Sequence, residues 1–295
     1  MADSSTVLSQ LLVHIDRHEF DQMATRHHQG QKFRSYNRWS QFLAMLMGQL
    51  SGRKSLRDIT GNLKAQSKRL YHLGMKPTAT ATLARVNAQQ PASLYQEIFS
   101  KLLHQCQAAA PKHRFSFKAK LYLLDTTIIQ LCLAAFPWAE FRQKKGGIKL
   151  HAGLDTGGYL PAFMDMSKAK VHELKWAKTL NLPKGSFACF DRGFTDYGWY
   201  NDLSENGIFF VTRLKSNAEV EYLLKRAGRK SPGISNDQNI RLKGIKEPLR
   251  LVCYTDPETG IKYRFVSSTH HLKAQEIAEI YRERWQIELF FKWIK

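Results

Sequence analysis

Five polar residues near the end of the sequence are spaced so that one face of a helix would carry all of them. They are Tyr281, Arg284, Glu288, Lys292 and Lys295, and at about 100° per residue they fall within roughly 80° of one another. A single carboxylate among cations and a phenol suits a metal ligand that lies beside a phosphate backbone. The alternative interpretation is an ordinary amphipathic helix, in which Glu288 pairs with Lys292 one turn later.

Two other acids follow short apolar runs that are typical of β-strands. Asp125 ends the run that begins at Lys120, and Asp191 ends the run that begins at Ser186. Carboxylates that converge from separate elements can hold two divalent ions about 4 Å apart for phosphodiester cleavage, and oxygen ligands suit Mg²⁺ or Mn²⁺. Asp125, Asp191 and Glu288 meet this description. Residue types alone do not exclude four competing acids, which are Asp155, Asp165, Asp196 and Glu283.

The charge balance of the chain favours a polyanionic partner. Its 45 Lys and Arg exceed its 25 Asp and Glu, which gives a net charge of +20 over 295 residues, and such an excess is typical of proteins that bind nucleic acid or an acidic membrane surface. No apolar run approaches the ~18 residues of a membrane-spanning helix, and no signal peptide is present. The cysteines lack metal-site spacing and are interpreted as buried thiols in a reducing cytoplasm: Cys106, Cys132, Cys189 and Cys253.

Residues 1–115 are predicted to form an all-α domain that contacts DNA. Capping residues and helical periodicity predict helices that end at Ile15, begin after Asn37, Ser55 and Thr80, and cover Ala92–Cys106. This region holds sixteen Lys and Arg against six Asp and Glu, so its net charge of +10 is half of the total. Short helices joined by turns can place one helix in a DNA groove.

From residue 116 onwards the pattern changes to a mixed α/β order. Strands are predicted over 120–125, 148–155, 159–165, 186–191 and 208–213, with helices over Val171–Leu182 and up to Leu203. Thr156-Gly-Gly joins the second and third strands as a hairpin. This order resembles a ribonuclease H-like domain, in which the first and fourth strands are neighbours and Asp125 would approach Asp191. Residues 215–271 are predicted to be a β-rich insertion, so the catalytic core would comprise 116–214 and 272–295.

Taken together, these motifs resemble the DDE transposases of the fourth bacterial insertion-sequence family. The family signature Y-x2-R-x3-E-x6-K is complete at Tyr281, Arg284, Glu288 and Lys295. Asp125-Thr-Thr and Asp191-Arg-Gly-Phe supply the other two acidic positions in the family's order. The resemblance covers nearly the whole chain, because residues 1–115 are similar to a helical domain that precedes the core in one branch of that family.

The resemblance implies a role for each signature residue. Asp125, Asp191 and Glu288 would bind two Mg²⁺ or Mn²⁺ ions, while the backbone of the transposon end would be held by Tyr281, Arg284 and Lys295. Trp285 is a candidate stacking surface for a flipped base, with a core tryptophan as the alternative. The candidate phosphate contacts, with solvated surface residues as the alternative, are Arg213 and Lys215.

The resemblance also implies an activity and its partners. The chain would cleave double-stranded DNA at terminal inverted repeats and join the ends to target DNA, as a homodimer on paired ends, in the cytoplasm at the nucleoid. Members of the family continue past the signature lysine, so we expect a chain truncated at its C-terminus. Two alternatives stay open: an inactive DNA-binding remnant of a transposase, and a metal-dependent nuclease of the same fold.

Overall fold

A computed structural model describes residues 7–33, 36–131, 140–142, 145–226 and 231–295. The chain divides into two compact units, Met1–Ala108 and Ala109–Lys295. Within the described ranges no helix is both long enough and apolar enough to cross a membrane.

Of the cysteines, Cys189 is buried as predicted, but Cys106 is exposed on a helix surface and Cys253 is half-buried. The prediction for Cys132 lies outside the described residues.

The first unit is helical, as the sequence predicts. Its helices are α1 (Val7–Leu12), α2 (Arg17–Arg26), α3 (Arg38–Leu50), α4 (Leu56–Ala65), α5 (Ser67–Leu70), α6 (Thr80–Gln89) and α7 (Ala92–Ala109). The predicted caps are confirmed at Asn37 and Ser55, whose side chains accept backbone N–H groups of the next turn. α1 ends before Ile15 because the following residues form a turn with i to i+3 bonds. Phe20 packs against Trp39 and Phe42 in the core.

The second unit is built on one large mixed sheet. Its strands are β1 (Leu121–Leu131), β2 (Glu140–Arg142), β3 (Lys145–Asp155), β4 (Leu160–Lys168), β5 (Phe187–Phe190), β6 (Phe209–Arg213), β7 (Val220–Lys225), β8 (Ile234–Leu242), β9 (Leu249–Thr255) and β10 (Lys262–Ser267). Their order is β2-β3-β1-β5-β6-β10-β9-β8-β7, with β4 paired to β3. The predicted hairpin and the predicted adjacency of the first and fourth predicted strands, β1 and β5, are both confirmed.

The structure corrects two of the predicted elements. The strand that was expected to end at Asp125 continues to Leu131, because β3 pairs with it along its whole length. The helix expected over Val171–Leu182 is only α8 (Glu173–Ala177), since isolated turns follow Ala177. The β-rich region contributes β7 to β10 to the same sheet, on the side of β6.

Helices cover both faces of this sheet. On one face, α8 and α9 (Tyr197–Glu205) pack against Tyr122 and Leu124 of β1. On the other face, α10 (Ala274–Glu283) and α11 (Trp285–Ile294) pack against Leu121 and Leu123. Since side chains alternate along a strand, Asp125 projects toward the face that carries α10 and α11.

A buried ion pair ties this sheet to the start of α10. The side chain of Arg250 on β9 is 3% exposed, and it donates to both carboxylate oxygens of Asp237 on β8 at 2.8 and 2.7 Å. Its remaining nitrogen donates to the carbonyl of Leu272 at 2.5 Å. Because Leu272 lies just before α10, this arginine helps to fix where that helix begins.

Replacing Arg250 by alanine should destabilise the second unit strongly. The change leaves the largely buried Asp237 carboxylate with only the longer ion pair to Arg226, at 3.9 Å, and breaking a buried pair typically costs about 3–5 kcal/mol. Arg241→Ala is the matched control, because Arg241 pairs with Glu221 at the surface and exposed pairs contribute under about 1 kcal/mol. Chemical denaturation of both variants measures the two changes, and equal losses would contradict this role for Arg250.

Candidate active site

The backbone brings Asp125 and Asp191 to the same level of the sheet. The parallel pairing of β1 with β5 ends at Leu124 opposite Phe190, and each aspartate is the next residue of its strand. Beyond this point β5 gives way to a 3-10 turn, which Asp191 caps by accepting the N–H of Arg192. Asp125 and Asp191 therefore lie next to each other at the point where β5 ends and β1 continues.

The surroundings of Asp125 raise the pKa of its carboxyl group. Its side chain is 20% exposed, and burial raises its pKa to about 6, with the charges of Asp191 and Glu288 adding to the increase. The N–H of Thr126, which donates to Asp125 at 2.7 Å, and the guanidinium of Arg284 act in the opposite direction. Asp191 and Glu288 thus lie close enough to Asp125 for their charges to act on it.

Arg284 is the cation that joins two of these acids. Its Nη1 lies 3.4 Å from Asp125 and its Nη2 donates to Glu288 at 2.5 Å. The side chain is only 14% exposed, and within the described ranges its buried Nε has no hydrogen-bond partner. A guanidinium therefore stands between a strand carboxylate and a helix carboxylate.

The helix that carries Arg284 is interrupted at that residue. The single helix expected over Tyr281–Lys295 is instead α10 and α11, which meet at Arg284 through i to i+3 backbone bonds. The alternative pair of Glu288 with Lys292 does not form, because Glu288 binds Arg284 and Lys292 lies over the ring of Trp285 at 4.8 Å.

The donor set suits a hard divalent cation, although the acids are not assembled around one. Asp125, Asp191 and Glu288 offer carboxylate oxygens, which are the ligands that Mg²⁺ and Mn²⁺ prefer. Among the described residues, however, no three His, Cys, Asp or Glu side chains stand close enough together to hold a metal ion. The guanidinium of Arg284 supplies the neutralising charge in this arrangement.

An aromatic cleft of about 320 Å³ opens beside Glu288. Its lining includes Arg284 and two more of the predicted DNA contacts, Arg213 and Trp285. Trp285 is 49% exposed, so it is not the core tryptophan of the alternative interpretation. The side chains that sequence reasoning missed here come from the β-rich region and from α10: Tyr254, Asp256, Tyr263, Phe265, Gln275, Ala278, Glu279 and Arg282.

Tyr281 lines this cleft from a buried position. Its ring packs on Phe265 with centroids 4.9 Å apart, and the Arg284 guanidinium lies 5.4 Å from its centroid. Burial raises the pKa of Tyr281 to about 12. In the described part of the chain neither the Tyr281 hydroxyl nor the Gln275 carbonyl oxygen has a hydrogen-bond partner. The wall of the cleft thus contains unpaired polar atoms.

The structure does not bring the remaining two predicted contacts to the same cleft. Lys215 is exposed and lines a separate hollow of about 400 Å³ with Thr195, Tyr197 and Lys243. Lys295 is exposed at the end of α11. Of the six predicted DNA contacts, four therefore surround Glu288 and two do not.

The four competing acids have other roles. Asp155 accepts from Lys120 at 2.8 Å and from the N–H of Gly157, and Asp196 caps α9. Asp165 is exposed and accepts the N–H of the next residue. These three acids are thus engaged by partners other than Asp125, Asp191 and Glu288.

Glu283, the fourth competing acid, holds the C-terminal end of α10. Its buried carboxylate accepts from Arg114, which precedes β1, and from the Tyr159 hydroxyl in the β3–β4 turn, each at 2.5 Å. Tyr159 adopts a left-handed backbone conformation with φ of 55°, which is uncommon for a residue other than glycine. Both partners lie more than 100 residues away in sequence, so no local pattern could reveal this contact.

Comparison with known proteins gives matches to both parts of the chain. A family model described as a transposase DDE domain matches residues 116–295, and one described as a domain of unknown function (DUF4372) matches residues 3–76. A putative transposase of Sinorhizobium fredii is 30% identical over 244 residues, which cover 80% of this chain and 66% of the relative. A probable transposase for an insertion sequence element of Geobacillus stearothermophilus is 24% identical, over 73% of this chain and 58% of the relative. The chain thus spans less than two thirds of the length of these two relatives.

Replacing Asp125 by asparagine should stabilise the metal-free protein in a pH-dependent manner. Because the folded-state pKa of this acid is raised, folding disfavours its charged form, and the penalty grows as the pH rises from about 4 to about 6. We expect Asp125→Asn, in buffer with a chelator, to raise the free energy of unfolding by up to about 3 kcal/mol at pH 7 and by much less at pH 4. Asp165→Asn is the exposed control, and an equal gain at both pH values would contradict the prediction.

Proposed function

The chain belongs to the transposase DDE domain family, and from this premise we propose that it is a DNA transposase that cleaves insertion-sequence ends and joins them to target DNA. One observation carries the proposal. Asp125 and Asp191 follow the paired residues of two neighbouring strands, Glu288 comes from a helix, and the charges of Asp191 and Glu288 both act on Asp125. Three convergent acids in a chain of net charge +20 suit chemistry on a polyanion.

The proposed fold of the catalytic part is ribonuclease H-like. The parallel run of β1, β5 and β6, flanked by antiparallel β3 and by helices on both faces, supports this proposal. In the proposed division, 1–115 is the DNA-binding domain, 116–214 with 272–295 is the core, and 215–271 is the insertion. Strands of that insertion line the cleft beside Glu288, which gives it a part in shaping the site.

In this proposal Asp125, Asp191 and Glu288 hold two Mg²⁺ or Mn²⁺ ions. When bound, such a pair activates the attacking oxygen and stabilises the leaving oxygen of the phosphodiester. The Asp125 carboxylate is largely buried, and Arg284 connects it to Glu288. Asp191 is oriented by the bond that its side chain accepts from the N–H of Arg192.

The other cleft residues would bind the DNA end. Arg284 would contact a phosphate, because it lines the cleft beside Glu288. Arg213 and the exposed face of Trp285 line the same cleft and would contact the backbone and a base. Tyr281 is buried and would position the Arg284 side chain from behind. Lys215 and Lys295 would contact the DNA outside this cleft.

The proposed partners are the terminal inverted repeats of the element and its target DNA, both double-stranded. The protein would act as a homodimer on paired ends, in the cytoplasm at the nucleoid. The positive charge of residues 1–115 supports a contribution of that region to DNA binding, since the region contains sixteen Lys and Arg but only six Asp and Glu.

An end-cleavage assay with the inverted repeats that flank the reading frame tests this function. In the presence of Mg²⁺, we expect Asp191→Asn and Glu288→Gln each to lower cleavage at least 1,000-fold, a loss on the order of that seen when a catalytic group is removed. DNA binding should stay within about threefold of wild type. Asp165→Asn, which changes an exposed acid on β4, is the matched control and should cleave normally.

The same assay separates the alternatives. Joined products from paired ends support a transposase, whereas cleavage without joining would identify a metal-dependent nuclease. Normal end binding with no Mg²⁺-dependent nicking by the wild-type chain would identify an inactive remnant. Wild-type cleavage by the Glu288→Gln variant would refute the site itself.

Replacing Arg284 by alanine should increase the effect of Mg²⁺ on stability. Without metal, the variant leaves Asp125 and Glu288 with no cation between them, so its thermal midpoint should fall. Added Mg²⁺ should then raise that midpoint by more than it raises the wild-type value, because a guanidinium no longer competes for the same oxygens. Arg282→Ala, an exposed residue of the same cleft, is the control. Equal Mg²⁺-induced shifts in all three proteins would show that Arg284 does not compete with the ion.

A further inference from the structure

The exposed surface of α4 and α5 carries several cations around an exposed glycine. Arg57, Gly61, Lys64 and Lys68 follow one another at intervals of four, three and four residues, and all four are exposed. This spacing places Arg57, Gly61 and Lys64 on one side of α4, and Lys68 follows on α5 after the turn at Gln66. We call this set the α4 face. The opposite side of α4 is buried through its apolar residues, so the α4 face points away from the helical core.

No contact among the described residues requires a glycine at position 61. A Cβ atom at this position would meet nothing within 4 Å, and the residue has an ordinary helical conformation. By contrast, a Cβ at Gly48 on α3 would lie 2.5 Å from the Cδ1 of Ile59, so that glycine allows α3 and α4 to approach each other. Because glycine destabilises a helix interior relative to alanine, Gly61 points to a partner that approaches the helix backbone from outside.

The cations of the α4 face are not neutralised by the protein. In the described part of the chain no ion pair involves Arg57, Lys64 or Lys68, whereas Arg26 on α2 pairs with Glu97 of α7. Over residues 51–77, seven Lys and Arg accompany a single acid, Asp58. That acid is itself engaged, 3.4 Å from the guanidinium of Arg53.

We propose that the α4 face binds double-stranded DNA, with Gly61 at the point of closest approach. This proposal rests on the proposed function and names the surface through which the first unit would serve it. Arg57 and Lys64 are seven residues apart, which is roughly 10 Å along a helix, and the major groove is about 12 Å wide. The two cations can therefore reach phosphates on opposite edges of one groove while the bare backbone at Gly61 enters it.

The same face is unsuited to a membrane surface. Helices that lie in a membrane interface present large apolar side chains to the lipid, but the large apolar residues near the middle of α4, Ile59 and Leu63, are buried in the protein. Gly61 adds no side chain between the cations of the α4 face. Tyr71 is 82% exposed just after α5, but no large apolar side chain lies among these cations, and this pattern matches the backbone of a nucleic acid.

Fluorescence anisotropy of the full chain tests the role of the cations. The probes are a labelled duplex carrying the inverted repeat that flanks the reading frame and a duplex of unrelated sequence, with a chelator present to prevent cleavage. Lys64→Ala and Lys68→Ala should each weaken binding roughly fivefold and lower the slope of log affinity against log salt by about 0.9. Arg85→Ala removes an exposed cation of α6 and should leave both quantities unchanged.

Gly61→Ala gives a test that loss of folding cannot mimic. The open space around Gly61 accommodates a methyl group, so this variant should have a higher thermal midpoint than wild type. It should nevertheless bind the duplex at least fivefold more weakly. A variant that is both more stable and fully able to bind DNA would overturn the proposed approach at Gly61.

The outcomes separate this proposal from the function on which it rests. If the wild-type chain cleaves and joins ends while Lys64→Ala, Lys68→Ala and Gly61→Ala bind as wild type does, the α4 face is refuted and the transposase proposal stands. If the wild-type chain binds neither duplex at low salt, both proposals fail. Binding to vesicles of anionic phospholipid, or to double-stranded RNA, in preference to the duplex would also overturn the α4 face as a DNA surface.

Discussion

The geometry of the candidate site depends on the guanidinium of Arg284, which lies between Asp125 and Glu288. Three carboxylates at one partly buried edge repel one another, and an unpaired buried charge is costly. An arginine can contact two carboxylates at once because its donors are arranged in a planar fork. The break between α10 and α11 falls at this residue, whose side chain contacts both a strand and the next helical turn.

Contacts at both ends of α10 fix the position of that guanidinium. Near its start, Arg250 holds the carbonyl of Leu272 and Ser116 donates to Glu276. At its end, Glu283 accepts from Arg114 and Tyr159. These partners belong to β9, to the segment before β1 and to the β3–β4 turn. Distant parts of the second unit therefore set the position of Arg284 between Asp125 and Glu288.

The parts of the site that the sequence predicted are those governed by local rules. An apolar run that ends in an acid marks a strand and its exit, which is why the adjacency of Asp125 and Asp191 could be predicted from the order of elements. The spacing of Arg284 and Glu288 places them one helical turn apart whatever their partners are. The family resemblance then selected Glu288 from the competing acids.

The features that could not be predicted arise from contacts that are distant in sequence. Asp125 lies inside β1 and not at its end, because β3 continues to pair after β5 has stopped. The β-rich region joins the central sheet through β10, and only the register with β6 reveals this. Local patterns describe one element at a time, whereas these features depend on which element each side chain meets.

The candidate site is rich in acids, although the chain as a whole is strongly basic. The protein as a whole carries a net charge of +20, which attracts DNA over distances limited by salt screening. At the reacting edge, however, the acids would repel a phosphate unless cations offset them. Arg284 does so at any physiological pH, because a guanidinium remains protonated. The same residue that makes the acid cluster compatible with folding thus also makes it compatible with an approaching phosphate, and any divalent ion must compete with it for the oxygens of Asp125 and Glu288.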